Sequence, residues 1–233
     1  MKLKKVTQLP KSSKMRWYDD ACGTALALEL VGERWSLLIV RELMFGGRRF
    51  SELKASLPGI SANILTQRLE GMEESGILIR RKLPPPASVQ IYELTPWGYE
   101  SETAIKELGR WAARSPDHDT TLPLSAASIM LSFRTMLSAE RSAGLDATIG
   151  FRMGPESFVA HIVDGTIPIR RADPEGADVV FTTDPMTLGS VVYGGRPLSD
   201  PEADGTLAID GDRALAERFT TLFVLPPKIE RPA

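Results

Sequence analysis

One short segment, residues 49–82, constrains the fold of this chain more than any other. Its pattern predicts a helix at 50–57, a proline-glycine turn, and a longer helix at 62–75. Two strands, 77–83 and 89–94, follow, and the first of them carries three basic side chains. A helix, a tight turn, a second helix and a basic hairpin can lay one helix in the DNA major groove and contact the flanking phosphates. The segment therefore predicts a DNA-contacting unit.

The second of these helices is predicted to be amphipathic. Leu65, Leu69 and Met72 fall on one stripe at helical spacing and should face the core. The side chains that project away from this stripe near the start of the helix are Asn63, Thr66 and Gln67. Asn and Gln amides can pair with adenine through two hydrogen bonds, and Thr can contact a thymine methyl group or a phosphate. We therefore take these three side chains as candidates for reading base edges.

Further polar groups around the segment are candidates for phosphate contacts. They are Arg48 and Arg49 before the first helix, Ser61 at the start of the second, Arg68 on its margin, and Arg80 and Lys82 on the first strand. Side chains alternate along a strand, so Arg80 and Lys82 share a face that Arg81 does not. The alternative is a helical domain that simply exposes a solvated basic face. The agreement of element order, apolar stripe and charge favours DNA binding.

Net charge differs between the two halves of the 233-residue chain. Residues 1–115 contain 18 Lys and Arg against 13 Asp and Glu, whereas residues 116–233 contain 10 against 17. Polyanion binding is therefore expected in the first half. The net charge changes sign at a polar, proline-containing segment, which we interpret as a linker. The predicted parts are a basic flexible arm at 1–16, a DNA-binding and dimerisation domain at 17–115, the linker at 116–123 and a second domain at 124–225.

The residues that most catalytic and metal sites require are scarce. One Cys and two His leave no disulfide framework and no metal-ligand pattern. Residues 120–233 contain no Gly-x-Ser-x-Gly elbow, no phosphate loop and no carboxylate pair with a matching base. No apolar run has membrane-spanning length, and no signal peptide opens the chain. We expect a cytoplasmic protein that is not an enzyme, with no cofactor, no metal and no membrane partner.

Several separated motifs occur in order between Cys22 and Gly98. They include Leu30-Val31-Gly32-Glu33-Arg34-Trp35, Arg49-Phe50-Ser51-Glu52-Leu53, Leu65-Thr66-Gln67-Arg68-Leu69 and Tyr92-Glu93-Leu94-Thr95-Pro96-Trp97-Gly98. In this order they resemble the HxlR-type winged-helix transcriptional regulators, over about a third of the chain. The resemblance implies a wing of two or three strands and a homodimer joined through the first helix and a helix at 96–114. It also implies binding of double-stranded DNA at an inverted-repeat operator.

The same resemblance makes Cys22 a candidate redox sensor, since some members of the family use a cysteine at this position to sense oxidants or electrophiles. Cys22 precedes a predicted helix whose N-terminal dipole favours a thiolate. Gly23 follows it where the family usually has proline, which weakens the helix start. Without a second cysteine, switching requires a disulfide between subunits or an adduct with a small thiol. The alternative, a small buried packing residue, is favoured by the residues themselves.

The second half has an α+β pattern. An apolar helix at 125–139 precedes short strands, of which 157–163 and 166–170 are joined by the hairpin signal Asp164-Gly165. The remaining predicted elements are strands at 147–153, 178–182 and 206–210 and helices at 185–193 and 213–223. This succession predicts helices packed on an antiparallel sheet.

Turn and packing motifs in this half include Ala177-Asp178-Val179-Val180-Phe181, Asp184-Pro185-Met186-Thr187-Leu188 and Gly194-Gly195-Arg196-Pro197. They resemble the sterol-carrier-protein-type lipid-binding fold, which implies a five-stranded sheet and helices around an apolar tunnel. The candidate lining residues are Met130, Phe133, Met136, Leu137, Met186, Leu188, Phe219 and Phe223. The alternative is that they fill an ordinary core.

Two hypotheses about function follow. The first is a homodimeric DNA-binding regulator that an apolar small-molecule effector or Cys22 modification modulates. The second is a lipid or acyl-ligand carrier whose first domain serves mainly in assembly.

Overall fold

The computed structural model describes residues 18–231. The predicted basic arm at 1–16 lies outside the described residues. The described chain is α+β: an N-terminal winged helix is followed by helices packed on a five-stranded sheet. Residues 18–114 are termed the winged-helix unit, and residues 124–231 the sheet unit.

The winged-helix unit combines helices with a two-stranded wing. Its helices are α1 (Gly23–Val31), α2 (Ser36–Leu43), α3 (Phe50–Ser56), α4 (Ala62–Glu74), α5 (Pro96–Glu100) and α6 (Glu102–Ala112). The wing strands are β1 (Leu78–Lys82) and β2 (Gln90–Leu94), paired antiparallel with Arg80 opposite Tyr92. Arg48 forms an isolated β-bridge to β2, because its backbone exchanges two 2.8 Å hydrogen bonds with Tyr92.

The predicted single helix at 96–114 is two helices. Thr95 caps α5 by accepting a 3.0 Å hydrogen bond from the backbone N–H of Gly98, and Pro96 occupies the first turn. The break falls at Ser101, whose hydroxyl donates a 2.6 Å bond to the Gly98 carbonyl. Such a side-chain bond competes with the regular helical backbone bond, so α5 ends at Ser101 before α6 begins.

The sheet unit begins with α7 (Ala126–Met136), which Ser125 caps. Its strands are β3 (Ala147–Met153), β4 (Glu156–Ile162), β5 (Ile169–Arg171), β6 (Val179–Thr182) and β7 (Ala208–Gly211). Its other helices are α8 (Pro185–Val192), α9 (Ser199–Ala203) and α10 (Arg213–Thr220). The strand order is β5-β4-β3-β6-β7.

The prediction of an antiparallel sheet is wrong for one pair of strands. β3 and β6 run parallel, whereas the other neighbouring strands are antiparallel. The connection between β5 and β6, residues 172–178, passes over Gly150 of β3, where an added Cβ would lie 2.4 Å from Pro174 and 2.9 Å from Val180. The absence of a side chain at Gly150 lets this connection lie against the sheet, so β6 can return in the direction of β3.

One apolar core runs through both units. Phe133 of α7 lies at the centre of an aromatic cluster in the sheet unit. Its ring centroid is 4.5 Å from that of Phe223, 5.3 Å from Phe219 and 5.9 Å from Phe151. α7 also contacts α2 and α6 of the winged-helix unit. This helix therefore joins the two units through packed side chains.

Truncation of Phe133 tests this packing. Phe133→Ala should lower the free energy of unfolding by roughly 3–5 kcal/mol, because it removes a fully buried ring and leaves a cavity. Urea denaturation followed by circular dichroism measures the change. Leu122→Ala, at a side chain that is mostly exposed, is the control and should change stability by less than about 0.5 kcal/mol. Equal effects of the two substitutions would contradict the central position of Phe133.

Candidate nucleic-acid interface

α4 buries one side and exposes the other. Ser61 caps it by accepting a 3.2 Å hydrogen bond from the backbone N–H of Ile64. Leu65, Leu69 and Met72 are buried, as their helical spacing predicts. The exposed polar side chains of its first two turns are Asn63, Thr66 and Gln67. The helix thus exposes amide and hydroxyl groups to solvent on one side, while the buried side chains of the other side hold it against the core.

The turn between α3 and α4 is tight. Gly59 has a φ of 90°, a left-handed conformation that glycine adopts without steric cost. The N–H of Ile60 then donates a 3.2 Å bond to the Leu57 carbonyl, and both side chains are buried. The turn therefore holds the start of α4 against the core.

Arg68 contacts other parts of the protein. Its Nε donates a 3.0 Å bond to the Arg34 carbonyl, and its Nη2 lies 2.9 Å from the Glu33 carboxylate. These bonds tie α4 to the turn between α1 and α2. A phosphate contact by Arg68 would compete with the Glu33 carboxylate.

The wing carries two candidate basic residues in different environments. Arg80 pairs with Glu73 of α4 at 2.9 Å, and its guanidinium lies 5.5 Å from the centroid of the Tyr92 ring. Lys82 is exposed near the end of β1. Arg81 pairs with a glutamate of β2 at 2.8 Å. Arg80 is therefore held at the base of the wing, and Lys82 extends the basic surface beyond it.

Arg48 and Arg49 lie in different surroundings. Arg49 is exposed directly before α3, and its backbone N–H donates a 2.8 Å bond to Glu52. The side chain of Arg48 is only 7% exposed and pairs with Glu42 at 3.0 Å and with Glu156 at 3.2 Å. Arg48 thus lies between the two units, where its guanidinium cannot reach a phosphate. The candidate surface therefore does not include Arg48.

The partners of Arg48 are not predicted from the sequence. Glu42 is completely buried on α2, and Glu156 opens β4. Glu42 did carry a signal, because helical spacing places it beside Ile39 on the buried side of α2. A carboxylate on an apolar stripe implies a buried partner. Glu156 carries no such signal in the sequence.

The two outer helices of the winged-helix unit expose apolar side chains. They are Leu26 and Leu28 on α1 and Leu108 and Trp111 on α6, and Trp111 is 73% exposed. Each of these side chains leaves apolar surface accessible to solvent in the single chain.

Cys22 is exposed and occupies the N-cap position of α1. The interpretation of Cys22 as a buried packing residue is therefore wrong for this chain. Donor groups at the start of α1 lower the pKa of its thiol, first the backbone N–H of Thr24, then the Thr24 hydroxyl and the backbone N–H of Ala25. A lower pKa raises the thiolate fraction and with it the reactivity of the thiol near neutral pH.

The side chains proposed to line an apolar pocket lie in or against the core of the sheet unit. Met130, Phe133, Met136, Leu188, Phe219 and Phe223 are buried, and Leu137 and Met186 are partly buried. A surface cavity of about 520 Å³ lies elsewhere, between the end of α8 and α10, and none of these side chains lines it. Val191, Val192 and Leu198 form its apolar part, and Arg196 and Arg213 lie at its polar side.

Among residues 18–231, no group of three or more His, Cys, Asp or Glu side chains is placed to hold a metal ion. None of the helices described there is both long and apolar enough to cross a membrane.

Comparison with known proteins bears on the winged-helix unit. The sequence model of the HxlR-like helix-turn-helix family matches residues 30–120. The HTH-type transcriptional regulator YvaP of Bacillus subtilis is 37% identical over 87 residues, which are 37% of this chain and 80% of YvaP. The chain belongs to the HxlR-like helix-turn-helix family. The match of the family model ends at residue 120, so this membership concerns the winged-helix unit.

A second relative of this HxlR-like chain is the HTH-type transcriptional regulator YodB of Bacillus subtilis. It is 37% identical over 86 residues, which are 37% of this chain and 77% of YodB. A solved structure of the reduced form of YodB is 33% identical and covers 42% of this chain and 97% of its own, with a TM-score of 0.39.

The lowered pKa of the Cys22 thiol predicts its reactivity. Alkylation of the folded protein by iodoacetamide should have a pH midpoint below that of the same thiol in urea, because the donor groups of Thr24 and Ala25 are gathered around the thiol only in the folded chain. Mass spectrometry of the modified peptide gives the rate at each pH. Thr24→Ala, which removes the Thr24 hydroxyl from beside the thiol, should move the midpoint upward. A folded midpoint at or above the unfolded one would contradict this account.

Proposed function

We propose that this protein is a transcriptional regulator that inserts α4 into the major groove of double-stranded DNA. The proposal depends on Asn63, Thr66 and Gln67, because all three are exposed near the N-terminal end of α4. The position of this helix is fixed by the Ser61 cap, by its buried apolar side and by the hydrogen bond from Arg68 to the Arg34 carbonyl. Amide side chains in this position match the adenine edge in the major groove. Membership of the HxlR-like helix-turn-helix family supports the proposal, as do the names of the regulators YvaP and YodB.

Phosphate contacts come, in this proposal, from both sides of α4. Arg49 lies before α3, Ser61 marks the exposed N-terminus of α4, and Lys82 lies on the wing. Arg68 and Arg80 are secondary members, because each is already paired with a glutamate. A dimer with roughly 6–10 such contacts would lose about 10³–10⁵ in affinity between 50 and 200 mM salt.

The proposed assembly is a homodimer joined through α1 and α6. The exposed apolar side chains of these helices, Trp111 foremost, support an interface of two copies. A two-fold dimer presents two α4 helices and therefore binds an inverted repeat, with half-sites separated by about one helical turn or a multiple of it.

Two inputs are proposed to modulate DNA binding. Modification of Cys22 is supported by its exposure and its lowered thiol pKa. An apolar effector in the sheet unit would use the surface cavity beside Val191, Val192 and Leu198, because the candidate lining residues pack in or against the core. An effector changes DNA affinity only if it binds the DNA-bound and the free protein with different affinities. A modification of Cys22 does so only if it stabilises one of these two states more than the other.

Substitutions on α4 and on the wing separate base reading from phosphate contact. Asn63→Ala and Gln67→Ala should each weaken binding to a specific duplex by about 1–3 kcal/mol and leave nonspecific binding nearly unchanged. Lys82→Ala should weaken binding to both duplexes similarly and reduce the salt slope by about one. Fluorescence anisotropy over a salt series measures all three effects.

The matched control is Glu74→Gln, on the last turn of the same helix and exposed. It should retain the specificity of the unmodified protein, and each variant should show an unchanged thermal transition. Equal losses on specific and nonspecific duplexes for Asn63→Ala and Gln67→Ala would remove α4 as the base-reading element.

A further inference from the structure

Four charged side chains meet where the two units touch, and together they are termed the junction cluster: Glu42, Arg48, Glu156 and Arg171. The Nη1 of Arg48 lies 3.0 Å from Glu42, and its Nη2 lies 3.2 Å from Oε1 of Glu156. Arg171 binds the other oxygen of Glu156 at 2.8 Å. Glu42 and Arg48 belong to the winged-helix unit and the other two to the sheet unit, so the Arg48–Glu156 pair crosses between them.

The backbone of Arg48 is part of the wing. Its N–H and carbonyl each form a 2.8 Å hydrogen bond with Tyr92 of β2. Tyr92 lies opposite Arg80 in the hairpin, and the Arg80 guanidinium lies over its ring. A single residue thus contacts the wing through its backbone and the sheet unit through its side chain.

Burial makes the position of Arg48 depend on both of its carboxylate partners. Its side chain is 7% exposed, Glu42 is fully buried and Glu156 is 15% exposed, so water can replace little of either ion pair. A buried charge that loses its partner is strongly destabilised. The guanidinium must therefore follow Glu156 when β4 moves, or else remain partly unpaired.

We propose that Arg48 is a positioning residue through which the sheet unit sets the geometry of the wing. Glu156 holds the Arg48 side chain, and the Arg48 backbone holds β2, so the sheet unit influences DNA affinity without touching DNA. The inference rests on the proposed function for its effect on DNA, but its effect on the wing does not require DNA.

The test compares Glu156→Gln with Arg171→Gln in the full chain. Glu156→Gln breaks both ion pairs of Glu156 and so removes one of the two partners of Arg48, whereas Arg171→Gln breaks only the pair that does not involve Arg48. Hydrogen exchange of the free protein should be faster for the amides of Arg48 and Tyr92 in Glu156→Gln than in Arg171→Gln. A labelled duplex, selected by the unmodified protein from a random pool, should bind Glu156→Gln about tenfold more weakly and Arg171→Gln less than about twofold more weakly.

A double-mutant cycle adds a readout that a merely structural role would not move. If Glu156 acts through Arg48, Arg48→Met and Glu156→Gln should be clearly non-additive in DNA affinity, and the double variant should bind about as well as Arg48→Met alone. In the complex of Glu156→Gln with the duplex, hydroxyl-radical protection should be weaker than with the unmodified protein at the phosphates beside the wing and unchanged beneath α4. If Glu156→Gln does not fold, Glu156→Asp retains the charge, shortens the side chain and should show the same changes at smaller size.

Unchanged exchange at residues 48 and 92 in Glu156→Gln would overturn the inference, as would equal changes in Arg171→Gln. Strict additivity in the cycle would also overturn it. If the unmodified protein selects no duplex, the proposed function fails, and the exchange comparison still decides whether Glu156 positions the wing.

Discussion

The Glu42 carboxylate has no contact with solvent, and its hydrogen-bond partners determine how the two units of this protein meet. It accepts bonds from Arg41 at 2.8 Å, from Arg48 at 3.0 Å and from the Ser125 hydroxyl at 2.6 Å. The same Ser125 oxygen caps α7 by accepting a bond from the Ser128 N–H. A carboxylate buried in an apolar core is stable only with such partners, so the loop before α3 and the start of α7 are held together.

Aromatic side chains also join the two units. Phe45, just after α2, meets Phe158 of β4 edge to face with ring centroids 5.7 Å apart, and Arg134 of α7 lies over the Phe45 ring. Arg134 also pairs with Glu102 at the start of α6 at 2.9 Å. The sheet unit therefore contacts the ends of two helices and the base of the wing. A change in the sheet unit can reach the winged-helix unit through these contacts, as regulation by an effector would require.

The parts of the structure that depend on local interactions were predictable from the sequence. Ser61 and Thr95 cap helices through bonds within three residues, and the stripe on α4 follows from helical spacing. Asp164 and Gly165 both have positive φ, as the hairpin signal predicts. Each of these features is specified by a few neighbouring residues.

The features that arise from distant contacts were not predictable. Arg48 looks like any exposed arginine before a helix, and only the position of Glu156, far along the chain, makes it a buried one. The parallel pairing of β3 and β6 depends on a connection that packs over Gly150. The break at Ser101 is local, but the strong helical pattern on both sides concealed it.

Selection from a random duplex pool shows whether α4 reads a DNA sequence, as we propose. The unmodified protein and an Asn63→Ala, Gln67→Ala variant would be taken through the same rounds at moderate salt, and the recovered duplexes sequenced. We expect the unmodified protein to enrich an inverted repeat whose half-sites contain adenines. The variant should no longer select these adenines. Recovery of the same sequence by both proteins, or of no sequence by the unmodified protein, would contradict it.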